Sequence, residues 1–144
     1  MAKVIYLIGS LRNPEIPKIG AKLRSYGFEV FDDWFAAGPI ADDSWQEYEK
    51  ERGKTYPEAL DSYAARHVFE FDLKHLARAD IAVLCLPAGK SGHLEFGYMI
   101  GKGKPGFILF DKEPDRWDVM YQFSNGVFFD IDRLGTELQL TYKI

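Results

Sequence analysis

A chain of 144 residues, 47% hydrophobic and 28% charged, suits one folded domain and excludes a disordered segment. A net charge of −4 excludes the basic footprint of a nucleic-acid polymer binder, and no apolar run nears the roughly 18 residues of a membrane span. The single cysteine, Cys85, excludes an internal disulfide, and Met1 to Val4 enter a strand with no signal-peptide layout, so a cytoplasmic protein is expected.

Val4–Ile8 is a continuous apolar run ending at Gly9-Ser10 and reads as a strand buried on both faces. Pro14 and Pro17 open a helix with Ile19, Leu23 and Tyr26 at helical spacing, Asn13 as its cap and Gly27 at its end. Residues 28–31 read as a second strand. Segment 32–55 is polar and aromatic, holds Gly38-Pro39, Gly53 and the acidic pair Asp42-Asp43, and is long for a connection; such segments are lids or disordered. Within it, 47–52 reads as a solvated helical face with spaced ion pairs. A long helix over 57–77, a strand over 81–86, a helix over 92–101 and a strand over 107–110 follow. A short helix over 116–123, a strand over 127–129 and an amphipathic stretch to 140 close the chain.

Strands alternating with helices imply βαβ units with right-handed crossovers. The expected fold is a single α/β domain: a doubly wound, flavodoxin- or Rossmann-like five-stranded parallel sheet with helices on both faces and a lid-like insertion at 32–55.

The Gly-rich turn from Pro87 to Glu95 leads from the third strand into a helix, bringing backbone N–H groups to the carboxyl edge of the sheet. Gly89-Lys90-Ser91 imitates the tail of a triphosphate loop, but Leu84 stands where its first glycine belongs. The turn at Gly9 lacks the dinucleotide glycine pattern. His67 and His75 are too far apart to be adjacent-turn ligands, and His93 reads as a surface or hydrogen-bonded residue. Neither a metal nor a cofactor is expected.

Glu95 reads as a first-turn helical residue whose ionised form the helix dipole favours, and so as a candidate nucleophile. Asp72 shares a helix face with Ala65, Val68, Leu76 and Ala79, where an unpaired charge is costly. Either it pairs at the stripe's edge, with Arg66 or Lys74, or it points into the crevice beside Glu95. Two carboxylates in different environments can divide nucleophilic and proton-transfer roles, as in glycosyl transfer. Tyr6 lies on the strand that ends at the same sheet edge. The turn Gly9-Ser10-Leu11-Arg12 offers a hydroxyl, N–H groups and a guanidinium to a phosphate or a sugar hydroxyl.

Tyr-Leu-x-Gly-Ser-x-Arg from Tyr6, Phe-Asp-Leu at Asp72 with Ala79-Asp80 before a buried strand, Gly-x-Ser-Gly-His-Leu-Glu-Phe-Gly-Tyr from Gly89, and Gly103-Lys104-Pro105 follow in order. This series resembles the nucleoside 2-deoxyribosyltransferase family over nearly the whole chain outside 32–55. The resemblance implies that Glu95 attacks the anomeric carbon to form a covalent sugar ester, that Asp72 serves the departing base, and that Tyr6 orients the nucleophile. The turn with Gly9, Ser10 and Arg12 looks like that of the 2′-deoxynucleoside 5′-monophosphate N-glycosidases of the same superfamily. Ser91, between Gly89 and Gly92, would add a hydroxyl for the phosphate. Transferases acting on free nucleosides carry an aspartate where Gly89 stands. Asp118-Val119-Met120 resembles a segment that a neighbouring subunit lends to the site, with Asp118 in place of Asn or Ser. An aspartate there would accept from a free 5′-OH and repel a phosphate. Trp34, close to the second strand's carboxyl end, is a candidate to stack on the base; Trp45 shares the segment.

The implied ligand is a (deoxy)nucleoside 5′-monophosphate or (deoxy)nucleoside, with hydrolysis slightly favoured over base exchange, in a homodimer or larger homo-oligomer with shared sites. No nucleic-acid polymer and no membrane partner is expected. The alternatives are a transferase acting on free nucleosides, a non-catalytic nucleotide-binding module and an NAD glycohydrolase.

Overall fold

A computed structural model describes residues 2–142, and the side chains of these apart from 37–39, 41 and 42. Met1 and the side chains of Pro39 and Asp42, singled out above, lie outside the described residues.

Five strands, β1 (Val4–Ile8), β2 (Glu29–Phe31), β3 (Ile81–Cys85), β4 (Gly106–Leu109) and β5 (Gly126–Phe128), form one parallel sheet ordered β2-β1-β3-β4-β5. The helices are α1 (Ile16–Ser25), α2 (Trp34–Glu51), α3 (Tyr56–Leu60), α4 (Tyr63–Arg78), α5 (Lys90–Gly101) and α6 (Ile131–Tyr142), with a 3₁₀ turn at Val119–Phe123. Among the described residues no helix is long and apolar enough to cross a membrane.

The unbroken apolar runs of β1 and β3 have their cause in a sheet covered on both faces, where every residue of both strands is buried. Alternation along β1 sends Ile5 and Leu7 towards Ile16 and Leu23 of α1 and Leu134 and Leu138 of α6. Val4, Tyr6 and Ile8 face the other layer, with Leu76 of α4 and Phe96 and Met99 of α5. Each such side chain contributes about 1.5–3 kcal/mol of transfer free energy, offset by the entropy of ordering the chain. The result is a doubly wound α/β domain in which Tyr6 shares a layer with α4 and α5.

Local chemistry moves several expected boundaries. Helix α1 starts at Ile16, because Asn13 Oδ1 accepts from the Glu15 N–H at 3.0 Å in a turn ahead of the helix and Pro17 occupies the first turn. Segment 32–55 is mostly the 18-residue helix α2. Its charged stretch is not wholly solvated: Glu49 is 1% exposed, bonded to Arg52 at 3.2 Å and paired by distance, without a directed hydrogen bond, to Lys54 at 3.0 Å. The single helix expected over 57–77 is two. A Thr55–Glu58 capping box starts α3, and the Ser62 hydroxyl accepts from Ala65 N–H to start α4. Helix α5 begins at Lys90 with Gly89 as its N-cap, two residues earlier than the apolar pattern indicates.

The amino half of α4 stands off the core: Val68 is 41% exposed, while Leu76 and Ala79 are buried. Its carboxyl end is tied down by Lys104, whose ammonium donates to the carbonyls of Leu76 at 3.0 Å and Ala77 at 2.7 Å. These are last-turn acceptors, of which the Leu76 carbonyl otherwise takes only the Ala79 N–H at 3.3 Å, and a cation complements the helix dipole there. Gly103, at φ +81°, takes the left-handed step that aims Lys104 back at them. The Gly-Lys-Pro motif is in this fold a clamp on α4.

Candidate active site

The strand order reverses between β1 and β3, and open α/β sheets leave a crevice outside the carboxyl ends of such a pair. Gly9-Ser10 leaves the first of these strands and the turn 86–89 leaves the second. Two glycines let the surrounding elements approach. A Cβ on Gly9 would lie 2.6 Å from Ile16 Cδ1, and one on Gly92 would lie 3.3 Å from both Ala88 Cβ and Ile8 Cγ2. Gly89, by contrast, faces open space as the N-cap of α5.

Tyr6, Asp72 and Glu95 come together here from β1, α4 and α5. The Tyr6 hydroxyl, on a residue 2% exposed, donates to Glu95 Oε2 at 3.0 Å. Asp72 acts electrostatically on both, so its charge lies close to the pair. Arg66, one of its two expected partners, is paired with Asp61. Burial first, and the Asp72 charge second, push Glu95 from 4.5 up to about 7, while the Tyr6 hydrogen bond acts in the opposite direction. Tyr6 is itself held well above the usual phenol range by burial and then by the two carboxylates.

This overturns the helix-dipole expectation for Glu95. It is the sixth residue of α5, beyond the first turn where the dipole acts, and desolvation prevails. The outcome is a carboxyl group that exchanges its proton near neutral pH. Its neighbour is braced by rings: Tyr6 packs on Phe31 at 5.2 Å, and Phe31 stacks on His75 at 3.9 Å.

The remaining candidates are placed around this trio. Ser10 Oγ accepts from the Arg12 N–H at 3.1 Å, and the Arg12 side chain is exposed without an ion-pair partner among the described residues. Ser91 is exposed in the first turn of α5. Trp34 is less free than a stacking platform: its indole N–H donates to the Leu7 carbonyl at 2.8 Å beyond the end of β2, and its ring packs against both core layers. Trp45 is partly buried in α2. Asp118 caps the 3₁₀ turn, accepting from Met120 N–H at 2.9 Å, and Met120 is 57% exposed. Neither is among the groups acting on Glu95. Among the described residues no group of three or more His, Cys, Asp or Glu side chains gathers into a metal-binding cluster.

Two arrangements escaped the sequence reading. One is the Lys104 clamp, whose signal was only the Gly-Lys-Pro triplet. The other joins His93 to Tyr121 at 2.8 Å, between elements 28 residues apart. At the end of β2, where dinucleotide folds place a ribose-binding carboxylate, Asp32 is instead engaged by Arg24.

No protein-family model and no curated protein sequence matches the chain. In fold it is similar to the 2-deoxyribosyltransferase of the psychrotolerant bacterium Bacillus psychrosaccharolyticus, with 20% identity and a TM-score of 0.67 over 92% of this chain and 90% of that one. It is also similar to the CMP N-glycosidase BcmB of Clostridium botulinum, with 15% identity and a TM-score of 0.52 over 95% of this chain and 99% of that one.

Proposed function

We propose that the protein is an N-glycosidic-bond-cleaving enzyme related to the nucleoside 2-deoxyribosyltransferases, acting on a (deoxy)nucleoside or its 5′-monophosphate through a Glu95 ester. The observation that carries this reading is the trio itself: a carboxyl group near neutrality, bonded to a buried tyrosine and facing a second carboxylate. The fold shared with a deoxyribosyltransferase and a CMP N-glycosidase supports it.

In the first step ionised Glu95 attacks C1′, and the N-glycosidic electron pair passes to the base nitrogen. A proton held on Asp72 neutralises the departing base. The productive state in this scheme has Glu95 ionised and the transferable proton on Asp72. In the second step Asp72 takes a proton from water, whose oxygen attacks C1′ and releases Glu95. A second base in place of water gives exchange. Tyr6 aims the attacking oxygen. Arg12 and Ser10, with the free N–H groups at the start of α5, provide for a 5′-phosphate, and hydrolysis is favoured over exchange. Gly9 and Gly92 let the elements flanking the crevice pack closely, and Gly89 leaves open space at the start of α5.

We further propose a homodimer or larger oligomer in the cytoplasm, with Asp118 and Met120 lent to a neighbouring site and segment 32–55 bordering the crevice. Trp117, Val119, Met120 and Phe123, all more than half exposed, form the kind of apolar surface that monomers rarely leave open.

The test is incubation with nucleosides and 5′-monophosphates, with and without an acceptor base, followed by chromatography of released bases. Base release that Glu95→Ala abolishes, with a trapped sugar adduct on Glu95 by mass spectrometry, is expected. No release from any substrate would sink the reading, and tight binding without turnover would leave a nucleotide-binding module.

A further inference from the structure

His93 lies two positions before Glu95 on α5, a rotation of roughly 200°, so the two side chains leave opposite sides of the helix. Glu95 turns towards β1 and α4. His93 turns towards the β4–β5 connection, where its Nε2 meets the Tyr121 hydroxyl at 2.8 Å. Its Nδ1 lies 2.9 Å from the Gly89 carbonyl, which already receives the His93 backbone N–H. A carbonyl only accepts, so Nδ1 carries the hydrogen. In the neutral ring Nε2 is then a bare lone pair, and the Tyr121 hydroxyl donates to it. The rings are stacked at 5.9 Å and 19°, and Tyr121 is wedged against Phe110.

We propose that His93 and Tyr121 form a latch that positions the amino-terminal turns of α5, and with them Glu95, against the 3₁₀ turn carrying Asp118 and Met120. The hydrogen-bond directions give it one register: Tyr121 to His93 to the N-cap carbonyl. Tyr6 holds Glu95 from the β1 side, and the latch holds the same turns from the β4 side. A nucleophile must be placed to within a fraction of an ångström, so both restraints serve the same step. The catalytic part of the proposal rests on Glu95 as nucleophile; the mechanical part does not.

The experiment combines amide hydrogen exchange with steady-state kinetics on Tyr121→Phe, His93→Leu, His93→Gln and the Tyr121→Phe/His93→Leu double variant. Exchange at residues 90–95 and at 119–123 should quicken together, by fivefold or more, in Tyr121→Phe and in His93→Leu. Quickening confined to the substituted segment would overturn the latch, whether or not the protein shows activity. For base release, kcat should fall about tenfold with KM within twofold and Tm nearly unchanged. His93→Gln, which keeps an acceptor for the phenol, should recover most of the rate, and the double variant should be no worse than either single one. Multiplicative losses, or losses that track Tm, would overturn the positioning role. A wild-type protein that releases no base would refute the function above, while the exchange result would still decide the latch.

Discussion

Tyr6 and Glu95 stand 89 positions apart in the chain, yet the phenol hydroxyl reaches Glu95 Oε2 at 3.0 Å, across the β1–α5 contact. That hydrogen bond lowers the proton affinity of a carboxyl group that burial and Asp72 raise. In the proposed mechanism the same contact therefore bears on both the protonation and the aim of the attacking oxygen.

Replacing Tyr6 by Phe removes that downward influence, so Glu95 should ionise at still higher pH. The acidic limb of the kcat/KM profile for base release should move up by about one unit, since a hydrogen bond to a charged group is worth roughly 1.5–3 kcal/mol. An unmoved limb would show that the contact has no part in ionisation.

Asp72→Asn should move the same limb the other way. Its charge is the second cause of the raised Glu95 value, and without it Glu95 ionises at lower pH. The plateau rate should nonetheless drop about 10²-fold if Asp72 is the proposed proton donor for the departing base. The opposite shifts of the two variants separate electrostatics from general loss of structure.

Glu95→Gln should stabilise the protein at alkaline pH. The folded value, about 7, lies above the ordinary 4.5, so the protonated group favours the fold below the ordinary value and this contribution is lost as pH rises through 7. At pH 8 the variant should unfold about 5 °C higher than wild type, an effect on the order of 2 kcal/mol after solvent screening. Near pH 4.5 the difference should vanish, and calorimetry across this range checks it.

Lys104→Ala strips the last turn of α4 of its clamp. A loss of about 1–2 kcal/mol is expected, seen as a Tm lower by roughly 3–6 °C. Lys104→Arg should restore most of it. A neutral result would mean that water satisfies the Leu76 and Ala77 carbonyls equally well.

Arg12→Ala should raise KM for a 5′-monophosphate about tenfold and leave the corresponding nucleoside within about twofold, with the difference shrinking in high salt. Equal effects on both substrates would assign Arg12 to the turn's structure instead of to a phosphate.

Much of the architecture was legible because buried parallel strands write continuous apolar runs. Residues 4–8 and 81–86 were readable to within one residue. The helix starts at Thr55 and Ser62 were also present as capping residues, which the reading of one continuous helix over 57–77 passed over. Segment 32–55 carries a long helix that its composition did not suggest. Polar composition and a Gly-Pro step argue against a helix locally, whereas α2 is anchored at its start by a tertiary contact, the Trp34 indole on the Leu7 carbonyl and against both core layers, and near its end by the buried Glu49 with its sequence neighbours Arg52 and Lys54.

Glu95, Asp72 and Tyr6 could be singled out from strand and helix ends and from motif order, since those depend on residue types at short spacing. Their shared crevice could only be suspected, because helix spacing leaves Asp72 free to face either way. Proton affinity was out of reach and was misjudged. The helix-dipole argument uses position along one element, while the raised value of Glu95 comes from desolvation and from a charge on another helix. Chain pattern thus settled which elements form and which side chains are available. Packing decided that one carboxyl group would share its surroundings with a buried phenol and a second acid, since dielectric and distance exist only once the layers have closed.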